Sequence, residues 1–366
     1  VSGAILHFPG GAESLSAEAG RAAAEKALAT PIGERASCTT ELRLEHPEVL
    51  LGICELLTRR IEGQPASVAE EGEFFYRFLE APVRKIGEFD EREYFLGEFA
   101  LLAGGAYRIL FRRDEARRWF DRAESNFVRT ANASAHFARL AYQRLALAME
   151  ERRFEEILEL APVWAESARD LGLFQESLKC RFLEGIACRE TGDLEGAGRV
   201  FEEVYDQALA SESKLLAPVA NNLAQVRRLQ GDSEGALKFA GEALDLLKKA
   251  DSQVGLVKLR WCVGDILREQ GRLGEAVEAY RESLRDAEAL GLRGDTAAIH
   301  LVLADSLLQA GREAQAEWEV RAALPIIDEE KMVPEGFAAL SLLRESLRRR
   351  KIDRQALRNL HGFFRE

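Results

Sequence analysis

The sequence predicts an all-α protein, an α-α superhelix of stacked helical hairpins, and three observations carry that prediction. Turn signals recur at a nearly constant interval of about 40 residues from position 111 onward. Small residues recur with them, twelve positions apart across each turn. A chain that is 47% hydrophobic and 31% charged, with only 9 prolines, has ample apolar surface to bury and few helix breakers. A fixed interval of this size marks a helical repeat architecture, in which each unit buries its apolar face against the next.

The elements follow in order. Residues 1–40 are rich in Gly, Ala and Ser, with one short helix expected near Ser16–Ala29. Its apolar face is mostly alanine, so the segment is expected to be flexible or loosely docked. His46-Pro47 opens the first strong helix, with Pro47 where its missing N–H is harmless. Gly63-Gln64-Pro65 breaks it, and a helix opening near Ser67 carries Phe74, Phe75, Phe78 and Leu79. Residues 41–90 therefore read as an N-terminal helical hairpin with a connector.

From Glu91 the chain is periodic. Turns fall at Phe111-Arg112, Arg152-Arg153, Gly192-Asp193, Gly231-Asp232, Gly271-Arg272, Gly311-Arg312 and Lys351-Ile352. Gly104 pairs with Ala116, Gly185 with Ala197, Ala224 with Ala236, Gly264 with Ala276, and Ala304 with Ala316. Glycine inside a helix costs about 1 kcal/mol relative to alanine, so its recurrence asks for a close helix approach. Four positions after the second small residue stand Phe120, Phe201, Ala240, Tyr280 and Val320, expected to fill space between hairpins. Leu145 and Ile157 replace the small pair in one unit, which should pack more openly. Residues 91–334 thus hold six hairpins. A seventh, 335–366, puts Arg344 at the contact place and reads as a cap.

These residues resemble the tetratricopeptide repeat family, whose mark is a small residue in the first helix, a Gly-containing turn and a small residue early in the second. The resemblance covers roughly Glu91–Leu324 and implies a right-handed superhelix with first helices on its concave side. The family's usual repeat is 34 residues. Each unit here has about six more, to be placed in longer helices or in loops such as Ala289–Asp295.

Chemistry is sparse. The five histidines lie one per region, without His-x-x-x-His spacing, and no phosphate loop or nucleophile turn occurs. The five cysteines show no Cys-x-x-Cys, which disfavours a zinc site or a disulfide framework. They read as small core residues. No catalytic group, cofactor or metal is implied. No run approaches the roughly 18 apolar residues of a membrane span, and no secretory signal is evident, so a cytoplasmic protein is expected.

Function is therefore sought on the concave face. Three residues before the small contact stand Leu101, Tyr142, Phe182, Asn221, Trp261 and Leu301; four after it stand Arg108, Met149, Arg189, Arg228, Arg268 and Leu308. Steps of three and four residues keep these side chains on one face. Two expectations compete. In one, Phe182 and Trp261 pack between first helices while the arginines pair with surface acids. In the other, Tyr142, Phe182, Arg189, Asn221, Arg228, Trp261 and Arg268 line a groove for a peptide, acidic enough for arginine to grip its carboxylates. Asn221 would hold the peptide backbone, since an amide side chain donates and accepts at once.

A protein-interaction module, scaffold or regulatory adaptor, is the function this favours. Helical arrays of such long repeats also resemble the sensor regions of bacterial transcription regulators, which implies ligand or peptide sensing as an alternative. Residues 344–366 carry eight Lys/Arg against three Asp/Glu, a net +5 within a chain of −12, leaving −17 for residues 1–343. So acidic a body disfavours nucleic acid except at the basic C-terminal end, where a cap is the competing reading.

Overall fold

The computed structural model describes residues 16–61, 63–81, 89–131, 133–330 and 332–349. Helix is the only regular structure among them, in the order α1 (Ala17–Ala29), α2 (Ile32–Arg35), α3 (Thr39–Leu42), α4 (Pro47–Arg60), α5 (Pro65–Glu80), α6 (Phe89–Ile109), α7 (Arg113–Phe127), α8 (Ala133–Glu150), α9 (Phe154–Asp170), α10 (Phe174–Thr191), α11 (Leu194–Ala210), α12 (Leu216–Leu229), α13 (Ser233–Lys249), α14 (Gln253–Glu269), α15 (Leu273–Ala289), α16 (Arg293–Gln309), α17 (Glu313–Glu329) and α18 (Val333–Arg349). The fold class is all-α, built of successive helical hairpins. Two compact units divide the chain, Val1–Ala187 and Cys188–Glu366.

The turn inside each hairpin has one physical form. Phe111, Arg152, Gly192, Gly231, Gly271 and Gly311, the residues at which the sequence places the turns, all have positive φ. At the last of these, Arg312 N–H reaches back to Leu307 O at 2.8 Å, and Arg272 N–H to Leu267 O at 2.9 Å. This six-to-one bond closes the helix C-terminus and satisfies an otherwise orphaned carbonyl. Asp193 and Asp232 then cap the following helices, accepting from Gly196 N–H and Gly235 N–H at 2.8 and 2.9 Å. The six extra residues per repeat lengthen the helices: α13 through α17 each span 17 residues. Lys351-Ile352, and with it the second helix expected of the capping hairpin, lies outside the described residues.

In the first unit, α5 packs along α6 and α6 along α7, with Phe75, Phe95, Phe99, Phe120 and Phe127 in one core. Gly104 lies under the Phe120 ring, where a Cβ would come within 2.5 Å of Cε1. The ring therefore fills space inside its own hairpin, a different place from the inter-hairpin gap the sequence suggests. Helices α8 and α9, which carry Leu145 and Ile157, touch less extensively than α6 and α7, as larger side chains at the crossing require. At the N-terminal end, α5 opens at Pro65, two residues before the expected start, because proline is well placed at N1. Helix α1 docks on α4 through small residues: Ala24 and Ala27 are fully buried, and a Cβ on Gly20 would sit 3.0 Å from the Glu48 carbonyl oxygen. Arg35 of α2 is also buried, paired with Glu71 of α5 and donating to the carbonyls of Thr30 and Leu28 at 2.7 and 3.1 Å.

The second unit repeats the hairpin rule in α12/α13, α14/α15 and α16/α17. Ala224, Ala236, Ala276, Ala304 and Ala316 are fully buried. Gly264 lies under Tyr280, with an added Cβ 2.5 Å from the ring. Among the described residues no helix is long and apolar enough to cross a membrane.

Candidate functional site

The expected groove residues divide between the units. Tyr142 and Phe182 belong to the first; Arg189, Asn221, Arg228, Trp261 and Arg268 belong to the second. In the first unit Tyr142 packs on the α8/α9/α10 core and carries the Lys179 ammonium 5.3 Å from its ring centre. Phe182 is half-buried on α10.

In the second unit the arginines form a ladder running from each first helix to the next. Arg189, in the last turn of α10, donates to Asn222 Oδ1 at 2.7 Å and to Gln225 Oε1 at 2.8 Å, both on α12. Its other amino group meets Glu190 at 2.7 Å. Arg228 of α12 pairs with Glu269 of α14, with Asp265 3.9 Å away. Arg268 of α14 meets Asp305 of α16 at 3.1 Å and stands 3.9 Å from Asp265. The first unit holds an equivalent rung, Arg108 of α6 with Glu150 of α8 and Gln143 Oε1 at 3.2 Å. The expectation that arginines pair with acids thus describes Arg228 and Arg268, whose charges are balanced by neighbouring helices.

The partners follow a rule that the sequence reading passes over. Gln225, Asp265 and Asp305 each stand one residue after the small contact, at Ala224, Gly264 and Ala304. Each faces the arginine of the preceding hairpin, 36 or 37 residues earlier. The signal was available as a polar row beside the arginine row; it is weak because glutamine replaces aspartate in one of three places.

Two places in the ladder differ from the rest. Asp265 is enclosed between Arg228, Arg268 and the Tyr280 hydroxyl, which donates to its Oδ1 at 2.6 Å. Burial nevertheless raises the Asp265 carboxyl above its ordinary value, with the tyrosine bond and the two guanidinium charges opposing the rise. Arg189 is met across the helices by amide oxygens instead of carboxylates, and its ion-pair partner is Glu190 of its own helix.

Asn221 lies on α12 two helical turns before Arg228, hence on the same face. Its side chain is only 9% exposed, and its Oδ1 has no hydrogen-bond partner. Leaving a buried polar group unsatisfied costs about 1–3 kcal/mol, so such groups call for an explanation. Buried Nε atoms of Arg228 and Arg268 are likewise unpartnered. Trp261, half-buried on α14, packs against the apolar core shared by α14 to α18.

No family model and no curated protein matches the chain. Solved structures do. The apo form of RapI superposes with a TM-score of 0.61 at 14% identity, covering 78% of this chain and 99% of that one. A Rap protein complexed with Competence and Sporulation Factor gives 0.58 at 13% identity over 91% and 99% of the two chains. The quorum sensor NprR gives 0.58 at 14% identity, both in its apo form from B. thuringiensis, over 81% of each chain, and in complex with its cognate peptide NprX, over 86% and 88%. At these identities the likeness is one of fold. It is a tetratricopeptide-like array of helical hairpins.

Proposed function

We propose that this chain is a peptide-binding regulatory protein, and that the first-helix face of residues 188–366 holds the peptide. The observation that carries the reading is Asn221: a nearly buried carboxamide with an unsatisfied oxygen, set on the same helix face as Arg228. An extended peptide offers an N–H for that oxygen and a C=O for its amide group, and both exchanges occur where water is largely excluded. The complex of NprR with its cognate peptide supports the class of ligand, and the Rap protein complexed with Competence and Sporulation Factor supports the regulatory role.

The ladder refines the chemistry of that ligand. Arg228 and Arg268 already face Glu269, Asp265 and Asp305, so a uniformly acidic peptide would have to displace carboxylates to reach them. Arg189, met across the helices by amides, is the place for one carboxylate of the peptide, bound by a charge-assisted pair. The ligand is then an extended segment with a single acidic anchor rather than a polyacidic one. A scaffold and a sensor share this site; the sensor gains thermal stability from a short peptide alone, by mass action.

The test is a selection of random twelve-residue peptides against the purified chain, followed by calorimetry on the enriched sequences. Asn221→Ala should weaken the selected peptides by about tenfold or more, the loss expected of one buried hydrogen-bonded pair, with a melting temperature no lower than wild type. Peptides that bind wild type and variant equally would refute the site.

A further inference from the structure

On the second-helix side of the same unit, Tyr205 of α11 and Phe239 of α13 meet edge to face with ring centres 5.8 Å apart. With buried Leu223 of α12 they line a surface pocket of about 300 Å³, whose remaining wall is Glu202, Asp206, Lys238 and Glu242. The Tyr205 hydroxyl donates to Glu242 at 2.7 Å, and Glu202 accepts from Arg227. Lys238 is exposed, with its ammonium 5.7 Å from the Phe239 ring centre.

The first unit contains the same corner in a filled form. Tyr76 of α5 and Trp119 of α7 meet edge to face at 5.1 Å. The Arg122 guanidinium covers them, 4.4 Å from the Trp119 ring centre and 5.7 Å from that of Tyr76. Registers correspond: Trp119 and Phe239 stand three residues after Ala116 and Ala236, and Arg122 and Glu242 stand six after them. Where one hairpin roots the guanidinium that closes its aromatic corner, the other roots a carboxylate. That corner has no guanidinium over its rings, only the exposed Lys238 ammonium at its edge; it carries more negative charge and is open.

We propose that the pocket between α11, α12 and α13 binds an arginine side chain of a partner protein. The planar guanidinium lies against the rings as Arg122 does, and its N–H groups meet the carboxylates of Glu242 and Asp206. Lys238, on a flexible exposed stem, swings aside. The site is lined mostly by residues of the second helices α11 and α13, none of them a member of the arginine ladder, and its occupancy does not depend on the peptide reading.

The experiment uses the full chain with ¹³C-labelled aromatic rings and N-acetyl-arginine methylamide as the probe, followed by NMR at millimolar concentrations. Tyr205 and Phe239 resonances should shift saturably. The citrulline analogue, of the same shape without the charge, should bind at least about tenfold more weakly. Asp206→Asn with Glu242→Gln should remove the shifts while leaving the far-UV dichroism unchanged, and Glu242→Arg should move the ring signals by itself and block the probe. Rings untouched by the arginine probe, equal binding of citrulline, or undiminished shifts in the double variant would each overturn the proposal. So would ring shifts already present without probe and lost when Arg348, Arg349, Arg350 and Lys351 are changed to Gln, since the occupant would then be this chain's own basic segment.

Discussion

Replacing Gly264 by alanine adds one methyl group, and the structure says where it goes. Its Cβ would lie 2.5, 2.7 and 3.0 Å from Cε1, Cδ1 and Cζ of Tyr280, against the 3.5–4.0 Å or so of a relaxed carbon contact. Tyr280 is fully buried and its hydroxyl is held by Asp265 at 2.6 Å, so the ring has no free direction to move. Overpacking of this kind costs about 1–3 kcal/mol, and the better helix propensity of alanine returns about 1. The net expectation is destabilisation by up to about 2 kcal/mol. Gly241→Ala is the control, because a Cβ at that position on the exposed face of α13 meets nothing within 4 Å. It should stabilise by about 0.5–1 kcal/mol. Urea unfolding followed by far-UV dichroism compares the two midpoints. A Gly264→Ala midpoint equal to or above wild type, moving with Gly241→Ala, would refute the close-contact rule.

Three further outcomes are expected. Arg35→Ala strands the buried Glu71 carboxylate and should cost about 3–5 kcal/mol in urea unfolding; the added Glu71→Ala should recover part of that loss, whereas additive losses would show the pair to be uncoupled. Phe111 has a φ of 58° and is 74% exposed, so Phe111→Gly should gain about 1 kcal/mol by removing left-handed strain, read as a higher melting temperature. Asp265 holds its proton in the folded protein to a pH above its unfolded value of 3.8. Its contribution to stability is therefore present below that value and lost as pH rises through the folded value. The stability of Asp265→Asn relative to wild type should increase over this rise, and a pH-independent difference would contradict the burial of the carboxyl.

The turns were legible because the same left-handed position must recur wherever two long helices reverse, and the interval finds it even where Phe111 and Arg152 replace glycine. The small contacts were legible for a related reason, that only Gly or Ala lets two backbones cross closely. Two things escaped. Helix α1 uses Ala24, Ala27 and Gly20 to approach α4, and a count of apolar area undervalues residues whose contribution is proximity. Pairing of the arginines with acids was one of the two expectations, but the acceptors themselves escaped because they lie one repeat away and change identity from Gln225 to Asp265 and Asp305. Seen alone, the arginine row reads as a strip open to an acidic partner; with its acceptors, Arg189 is the member that receives no carboxylate from the next helix. Asn221 was singled out for its chemistry, and its burial without a partner is what the structure adds.

The most direct measurement is hydrogen exchange by mass spectrometry on the full chain with and without a peptide from the random twelve-residue selection. Protection should appear in α12 and α14, with α11, α13 and α15 unchanged. Protection confined to the second helices, or none in α12, would contradict a peptide held on the first-helix face.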